Sequence, residues 1–145
     1  MRNSNPREFK TRAELDAAVD LWITKPEFAI ETYGHISEWN VSRIKNFSNL
    51  FLNAEDFNSD ISKWDVSNGT NFHGMFNFAK SFNQDISSWD VSRGTYFNLM
   101  FRNAEAFNQD ISSWEVGNGS SFKQMFESAA SFNKDIGSWD VSKGE

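Results

Sequence analysis

The feature that most constrains this chain is a tryptophan that returns every 25 residues, at Trp39, Trp64, Trp89, Trp114 and Trp139. Other apolar residues keep the same spacing in columns that begin at Ile36, Val41, Phe47, Leu50, Phe51, Ala54 and Phe57. Twelve of the 15 Phe and five of the six Trp lie in such columns, so nearly all aromatic residues belong to the repeat. Periods of about 20–50 residues are typical of solenoids and similar arrays, in which stacking of the units creates the core.

Two shorter periods coexist inside each unit. Phe72, Met75, Phe76 and Ala79 stand at i, i+3, i+4 and i+7, which indicates one face of an amphipathic helix. Trp64 and Val66 alternate with a polar residue, as in a short half-buried strand. The sequence therefore predicts an α/β repeat solenoid, a leucine-rich-repeat-like stack with one short strand and one helix per 25-residue unit.

The first part of the chain lacks the repeat and predicts two helices. Thr11 and Glu14 form a capping box, and an apolar stripe follows at Leu15, Ala18, Val19 and Trp22. A second helix is expected from Pro26 to Gly34, with Phe28, Ile30 and Tyr33 facing inward. We therefore expect an N-terminal helical cap over residues 1–35 and a repeat region over residues 36–145, about four and a half units.

Composition excludes several classes of function. The net charge of -6 argues against nucleic-acid binding, which needs a basic surface. The sequence has no run of about 18 apolar residues and therefore predicts no membrane span. The first ten residues are polar, so no signal peptide is expected there. With no cysteine, the chain has no disulfide, thiol nucleophile or thiolate metal site.

The repeat resembles two known patterns. Ile61, Trp64 and Val66 follow the strand pattern of leucine-rich repeats, with Trp in place of one leucine. The string FNQDISSWDVS at residues 82–92, preceded by MFNFA at residues 75–79, resembles the BspA-like surface-protein repeats called DUF285. The resemblance runs from Ile36 to the C-terminus, and residues 9–36 are similar to the leader of such proteins in microalgae. It implies an extracellular or cell-surface location and names no ligand.

One column departs from the family pattern. Glycine stands where the family has a small aliphatic residue, and only Ile44 keeps the pattern. The glycines are Gly69, Gly94, Gly119 and Gly144. Glycine adds backbone freedom and removes burial, so we expect the geometry before each helix to differ from that of the family.

The regular polar positions suggest a binding surface. Residues that alternate with the inward Trp and Val should point away from the core, and the exposed face of a repeat array often binds partners. The candidate residues are Asn40, Lys63, Asp65, Ser67, Ser88, Asp90, Ser92, Ser113, Glu115 and Asp140. This pattern favours a non-enzymatic module for protein interaction, adhesion or assembly; a merely solvated face is the alternative.

A second acidic column offers a metal hypothesis. It contains Asp60, Asp85, Asp110 and Asp135. Such side chains commonly bond to the backbone of a local turn. Stacked carboxylates also repel one another unless a cation neutralises them, so a calcium-dependent adhesive module is an alternative, with calcium as the one cofactor considered.

An enzyme that acts on glycans is a further alternative. Acid–base catalysis needs carboxyl groups in unequal environments, whereas repetition makes environments equal. Glu115 is the one longer carboxylate in its column, and His35 and His73 occupy different positions of the unit. We therefore assign no catalytic residue, and expect the Trp column to lie in the core instead of stacking on sugars.

The last unit predicts self-association. Ile136, Trp139 and Val141 continue the core columns, but no further unit follows them in the sequence. Exposed apolar surface is unfavourable by roughly 25 cal/mol per Å². We therefore expect this end to pair with a second copy, most simply about a two-fold axis, or to bind a protein partner.

Overall fold

The computed structural model describes residues 7–145 and begins with the two expected helices. Helix α1 spans Arg12–Thr24, and the Thr11 side chain accepts the Glu14 backbone N–H at 3.2 Å. This bond satisfies one free donor of the first turn and explains where the helix begins. The face of α1 that is buried carries Leu15, Ala18 and Val19.

Helix α2 spans Pro26–Tyr33 and ends at Gly34, whose φ of 78° suits glycine. Ala29 is its buried residue, while Phe28 is 60% exposed. The expectation that Phe28 faces inward is therefore wrong, because the next residue, Ala29, is the one that faces the core. A short 3-10 turn, Ile36–Glu38, leads into the first repeat. The division of the chain at residue 35 stays a prediction.

The repeat region is built from turns. Residues 7–145 contain no β-strand and no sheet, only isolated parallel bridges, one between Glu8 and Asn40 and the others between neighbouring units. One series of bridges joins Asn46, Asn71, Tyr96 and Ser121, a single residue in each unit. The predicted α/β repeat solenoid, leucine-rich-repeat-like with a strand and a helix in each unit, is therefore wrong. We call each 25-residue unit a coil.

The segment predicted to be helical consists of two successive four-residue turns. The N–H groups of Met75 and Ala79 donate to the carbonyls three residues earlier, those of Phe72 and Phe76. Alternate N–H groups, those of Phe72, Gly74, Phe76 and Phe78, donate to the next coil, as Phe76 does to the Met100 carbonyl at 2.9 Å. A helix would instead bond each N–H to the carbonyl four residues earlier.

Left-handed residues fix these turns. The third residue of each turn has φ near 60°, as in a type II turn. These residues are Asn49, Asn53, Gly74, Phe78, Leu99, Asn103, Gln124 and Ser128. Because the first and fourth residues of each turn face inward, two turns in series give the same i, i+3, i+4, i+7 spacing as a helix.

The segment predicted to be a strand also turns. The Trp64 N–H donates to the Ile61 carbonyl and the Gly69 N–H to the Val66 carbonyl, so the backbone bends twice within nine residues. Trp64 and Val66 do face inward, at 3% and 1% exposure. The period of two predicted the burial but not the backbone conformation.

Stacked aromatic rings form the core. Within each Phe column, neighbouring rings are 5.4–6.0 Å apart and within 7° of parallel. Phe76 also lies 4.2 Å from Phe82 within one coil, so the columns interlock. Offset stacking of this kind adds about 0.5–1.5 kcal/mol per pair to the burial of the rings.

α1 and α2, the two α-helices in residues 7–145, lack the length and apolar character that a bilayer crossing requires.

Candidate functional site

Two rows of carboxylates run along the stack, and together we call them the acidic face. One row contains Asp60, Asp85, Asp110 and Asp135, and the other Asp65, Asp90, Glu115 and Asp140. All eight residues are exposed. The rows share one surface, because the grooves beside them have Ser87 and Ser113 in common.

Local turns hold the aspartates in register. Asp85 Oδ1 accepts the Ser87 N–H at 2.9 Å, and Asp90 Oδ1 accepts the Ser92 N–H at 3.0 Å. Asn40 makes the same bond to Ser42 at 3.0 Å in the first coil. An Asp or Asn that bonds to the N–H two residues later forms an Asx turn, so the aspartates of successive coils are presented in the same way.

These hydrogen bonds keep the carboxyls ionised. The hydroxyl of the serine two residues later, and then its backbone N–H, lowers the pKa of five aspartates below the ordinary 3.8. The five are Asp60, Asp85, Asp90, Asp110 and Asp140. A hydrogen bond to the charged form stabilises that form. These five aspartates therefore stay ionised to lower pH than an ordinary aspartate does.

Between the rows lie serines and one lysine. Ser88 and Ser113 donate their hydroxyls to carbonyls of the preceding coil at 3.3 and 3.2 Å. Lys63 is paired with Glu38 at 3.2 Å. Ser67 and Ser92, which close the Asx turns, are half-buried. The ten predicted binding residues thus follow neighbouring turns of one surface; that they bind a partner stays a prediction.

Shallow grooves separate successive coils on this face. One of about 270 Å³ lies among Asp85, Gln109 and Asp110, and one of about 340 Å³ lies among Ser88, Asp90, Ser113 and Glu115. Both are open to solvent and lined mainly by polar side chains. Their shape suits an extended polymer lying on the surface better than an enclosed small molecule.

Metal binding by Asp60, Asp85, Asp110 and Asp135 stays a prediction. Within residues 7–145, no three His, Asp or Glu side chains are placed to hold a metal ion together. The carboxylates of Asp85 and Asp110 repel each other, and the charge of Asp110 therefore opposes the ionisation of Asp85. Each aspartate already accepts hydrogen bonds from its own turn.

An amide ladder, which the sequence did not predict, runs beside the acidic face. Asn83 Oδ1 accepts the Asn108 N–H at 2.9 Å and the Gln109 side-chain N–H at 3.0 Å. Asn58 and Asn108 act in the same way on the coils that follow them. The sequence signal that could have found the ladder is the recurrence of Gln next to Asn at the 25-residue spacing.

The remaining predicted residues have other positions. The Trp rings of the first four coils are 3–4% exposed, and Trp64 donates its indole N–H to the Ile36 carbonyl at 2.8 Å. They therefore offer no exposed surface to a sugar. Ile136 and Trp139 are half-buried and Val141 is 47% exposed. Self-association through Ile136, Trp139 and Val141 stays a prediction.

Comparison with known proteins agrees with the resemblance of the repeat. No curated protein and no solved structure matches the chain. A family model described as "Mycoplasma protein of unknown function, DUF285" matches residues 24–139, which is well over half of the chain. The 25-residue repeat, the family match and the predicted resemblance therefore agree that this chain belongs to the DUF285 family.

Proposed function

We propose that this chain is a non-enzymatic protein-interaction module whose acidic face binds a basic, extended segment of a partner protein. One observation carries the proposal: in residues 7–145, none of the eight carboxylates of the acidic face has a basic group within salt-bridge distance. The six salt bridges of the described chain all involve glutamates or Asp16 elsewhere. Basic side chains of a partner would neutralise this charge.

The spacing of the coils supports an extended ligand. Each coil contributes one carboxylate to each row, and the stacked rings of neighbouring coils are 5.4–6.4 Å apart. An extended chain advances about 6.4–6.8 Å every two residues. Long, flexible basic side chains at every second position of such a segment would therefore offer about one cation to each coil, without matching the coil spacing residue by residue. A rigid core below the face limits the entropy that is lost on binding.

Equal environments support a binding role over a catalytic one. The Asx turn recurs in successive coils with nearly the same bond length, and the carboxyl pKa values that shift all shift downward. General acid catalysis requires instead a carboxyl whose pKa is raised towards neutrality. Polysaccharide turnover that disappears in Glu115→Gln would contradict this proposal.

The test uses a fluorescent peptide of alternating lysine and serine and the 145-residue chain. Asn40 shows that an amide can make the Asx turn, so Asp65→Asn and Asp90→Asn remove charge and keep the turn. Together with Glu115→Gln, they should weaken binding about ten-fold in fluorescence anisotropy, at about 0.2–1 kcal/mol per exposed charge. Binding should also weaken as salt concentration rises.

A matched control removes three charges from other surfaces. Asp20→Asn, Glu31→Gln and Glu105→Gln change exposed carboxylates that form no salt bridge within residues 7–145. This variant has the same net charge as the test variant, and we expect it to bind like the unmodified chain. Equal loss in both variants would show a non-specific effect of net charge and overturn the proposal.

A further inference from the structure

A groove separates the helices from the first coil. Its volume is about 550 Å³, which lies within the range of ligand pockets. One wall is the end of α1 and the start of α2, with Trp22, Ile23 and Pro26; the other is the turn at residues 53–59. Trp22 donates its indole N–H to Ser59 Oγ at 3.1 Å and so joins the two walls.

In the later coils, the equivalent turn bonds to the coil before it. The N–H of Ser81 donates to the Glu55 carbonyl at 3.1 Å, and the N–H of Asn83 donates to Asn58 Oδ1 at 2.9 Å. The next two coils repeat both bonds, through Ala106 and Asn108 and through Ser131 and Asn133. Each turn thus holds a segment that provides a carbonyl and, three residues later, an asparagine side chain.

The first coil has the same two donors without such a segment. Asp56 and Asn58 stand 25 residues before Ser81 and Asn83, and their N–H groups donate to no acceptor in residues 7–145. The preceding chain here is α2, in which the Ile30 carbonyl already accepts the Gly34 N–H. Asp56 and Asn58 both line the groove, on the side that the preceding coil occupies elsewhere.

The rest of the groove defines the ligand further. Ile23 is 43% exposed and lies beside Pro26, so an apolar side chain would be buried there. Glu55 and Asp56 are exposed carboxylates at the same site, and Lys80 lies 3.5 Å from Glu55. Asp56 has no salt bridge within the described residues, so a basic residue in the ligand would complement it.

We propose that this groove binds an extended segment of a partner protein in which an apolar residue precedes an asparagine. The segment accepts the Asp56 N–H with a main-chain carbonyl and the Asn58 N–H with the asparagine side chain three residues later. It thereby takes the place that residues 55–58 and 80–83 take on the following coils. The groove contains none of the eight carboxylates of the acidic face, so each proposal can fail without the other.

The test uses a synthetic peptide of residues 129–135, AASFNKD, which carries the same pattern as residues 54–60 and a lysine. Amide resonances of the isotope-labelled 145-residue chain are followed by NMR as peptide is added. We expect saturable shifts at Asp56 and Asn58. A peptide with Asn133→Leu should bind about five-fold more weakly, the effect of one lost hydrogen bond.

Two protein variants test the donors and the apolar wall. Asp56→Pro removes the N–H, whereas Asp56→Ala keeps it and removes only the carboxylate, so the proline variant should lose more affinity. Ile23→Asp should weaken binding without touching the coils. Amide resonances of the later coils verify that each variant folds. Equal affinity of all variants, or shifts confined to other surfaces, would overturn the proposal. If the Asp56 resonance shifts when the protein concentration alone is changed, the groove binds a second copy of this chain. That result would also overturn the proposal of a partner protein.

Discussion

At the scale of single residues, space explains the glycine before each pair of turns. A Cβ at Gly94 would lie 2.3 Å from Phe97 Cζ, and one at Gly69 would lie 2.6 Å from Phe72 Cζ. None of the four glycines has a φ in the left-handed region. The sequence suggested that glycine removes burial at this position. The Phe ring fills that space instead, which explains why Phe and Gly recur together.

Gly94→Ala should therefore destabilise the chain by about 1–3 kcal/mol, because the methyl group displaces the Phe97 ring. Urea unfolding followed by tryptophan fluorescence measures the change. Gly117→Ala is the control, since its Cβ would meet only Asp140 Oδ2 at 3.6 Å. That change should stay within about 0.5 kcal/mol. Similar losses in both variants would show that glycine serves the backbone and not the ring.

The amide ladder gives a second prediction for single residues. Asn83→Ala leaves the Asn108 N–H and the Gln109 side chain without their acceptor, which should destabilise the chain by about 1–3 kcal/mol. Asn133→Ala is a matched control, because in residues 7–145 its side-chain oxygen accepts no hydrogen bond, while its N–H remains bonded to Asn108. Urea denaturation should rank Asn83→Ala as the more harmful change. The reverse order would contradict a stabilising ladder.

At the scale of elements, the sequence predicted α1 and α2 but not the conformation of the coil. Thr11, Pro26 and Gly34 give local signals that depend on a few neighbouring residues. The spacing of Phe72, Met75, Phe76 and Ala79 is common to a helix and to two successive turns, so burial alone does not distinguish them. Residues with left-handed φ distinguish the two conformations. Phe78 and Leu99 have such a φ, however, and neither residue type indicates it in the sequence. Stacking of neighbouring coils imposes that conformation on them.

The sign of the stability change on glycine substitution in the last complete coil distinguishes a turn from a helix. Gln124 is exposed with φ of 56°, and an L-residue in this region is disfavoured by roughly 1–2 kcal/mol. Gln124→Gly should therefore raise stability by up to about 1 kcal/mol after the loss of backbone entropy. Lys123→Gly, at the neighbouring exposed position without positive φ, should lower it. Thermal melts measure both; destabilisation by Gln124→Gly would favour the helix.

At the scale of the whole molecule, the period of 25 predicted stacking, the aromatic core and the regular rows of polar side chains. The rows could be predicted because every coil repeats Trp64 and Asp65 in the same register. The groove at Trp22 could not, because it depends on how α2 stands against the first coil. The sequence gives one indication of this groove. The residue 25 positions before Asn58 is Tyr33, whereas Asn83 and Asn108 each follow an asparagine at that distance.

The charge of the acidic face makes the stability of the whole stack sensitive to acid. The pKa values of Asp60, Asp85 and Asp110 are lowered by hydrogen bonds from the serines of their turns. A carboxyl with a lowered folded pKa stabilises the fold above its unfolded pKa, here about 3.8, and this contribution is lost as pH falls through the folded value.

We therefore expect the melting temperature to hold from pH 7 to about pH 5 and to fall below about pH 4, where the unfolded chain binds more protons than the folded one. The variant Asp60→Asn, Asp85→Asn, Asp110→Asn keeps an acceptor for the backbone N–H in each turn but does not titrate. Its melting temperature should fall less between pH 5 and pH 2 than that of the unmodified chain. Identical profiles would show that the acid sensitivity arises elsewhere, since only these three carboxyls differ between the two proteins.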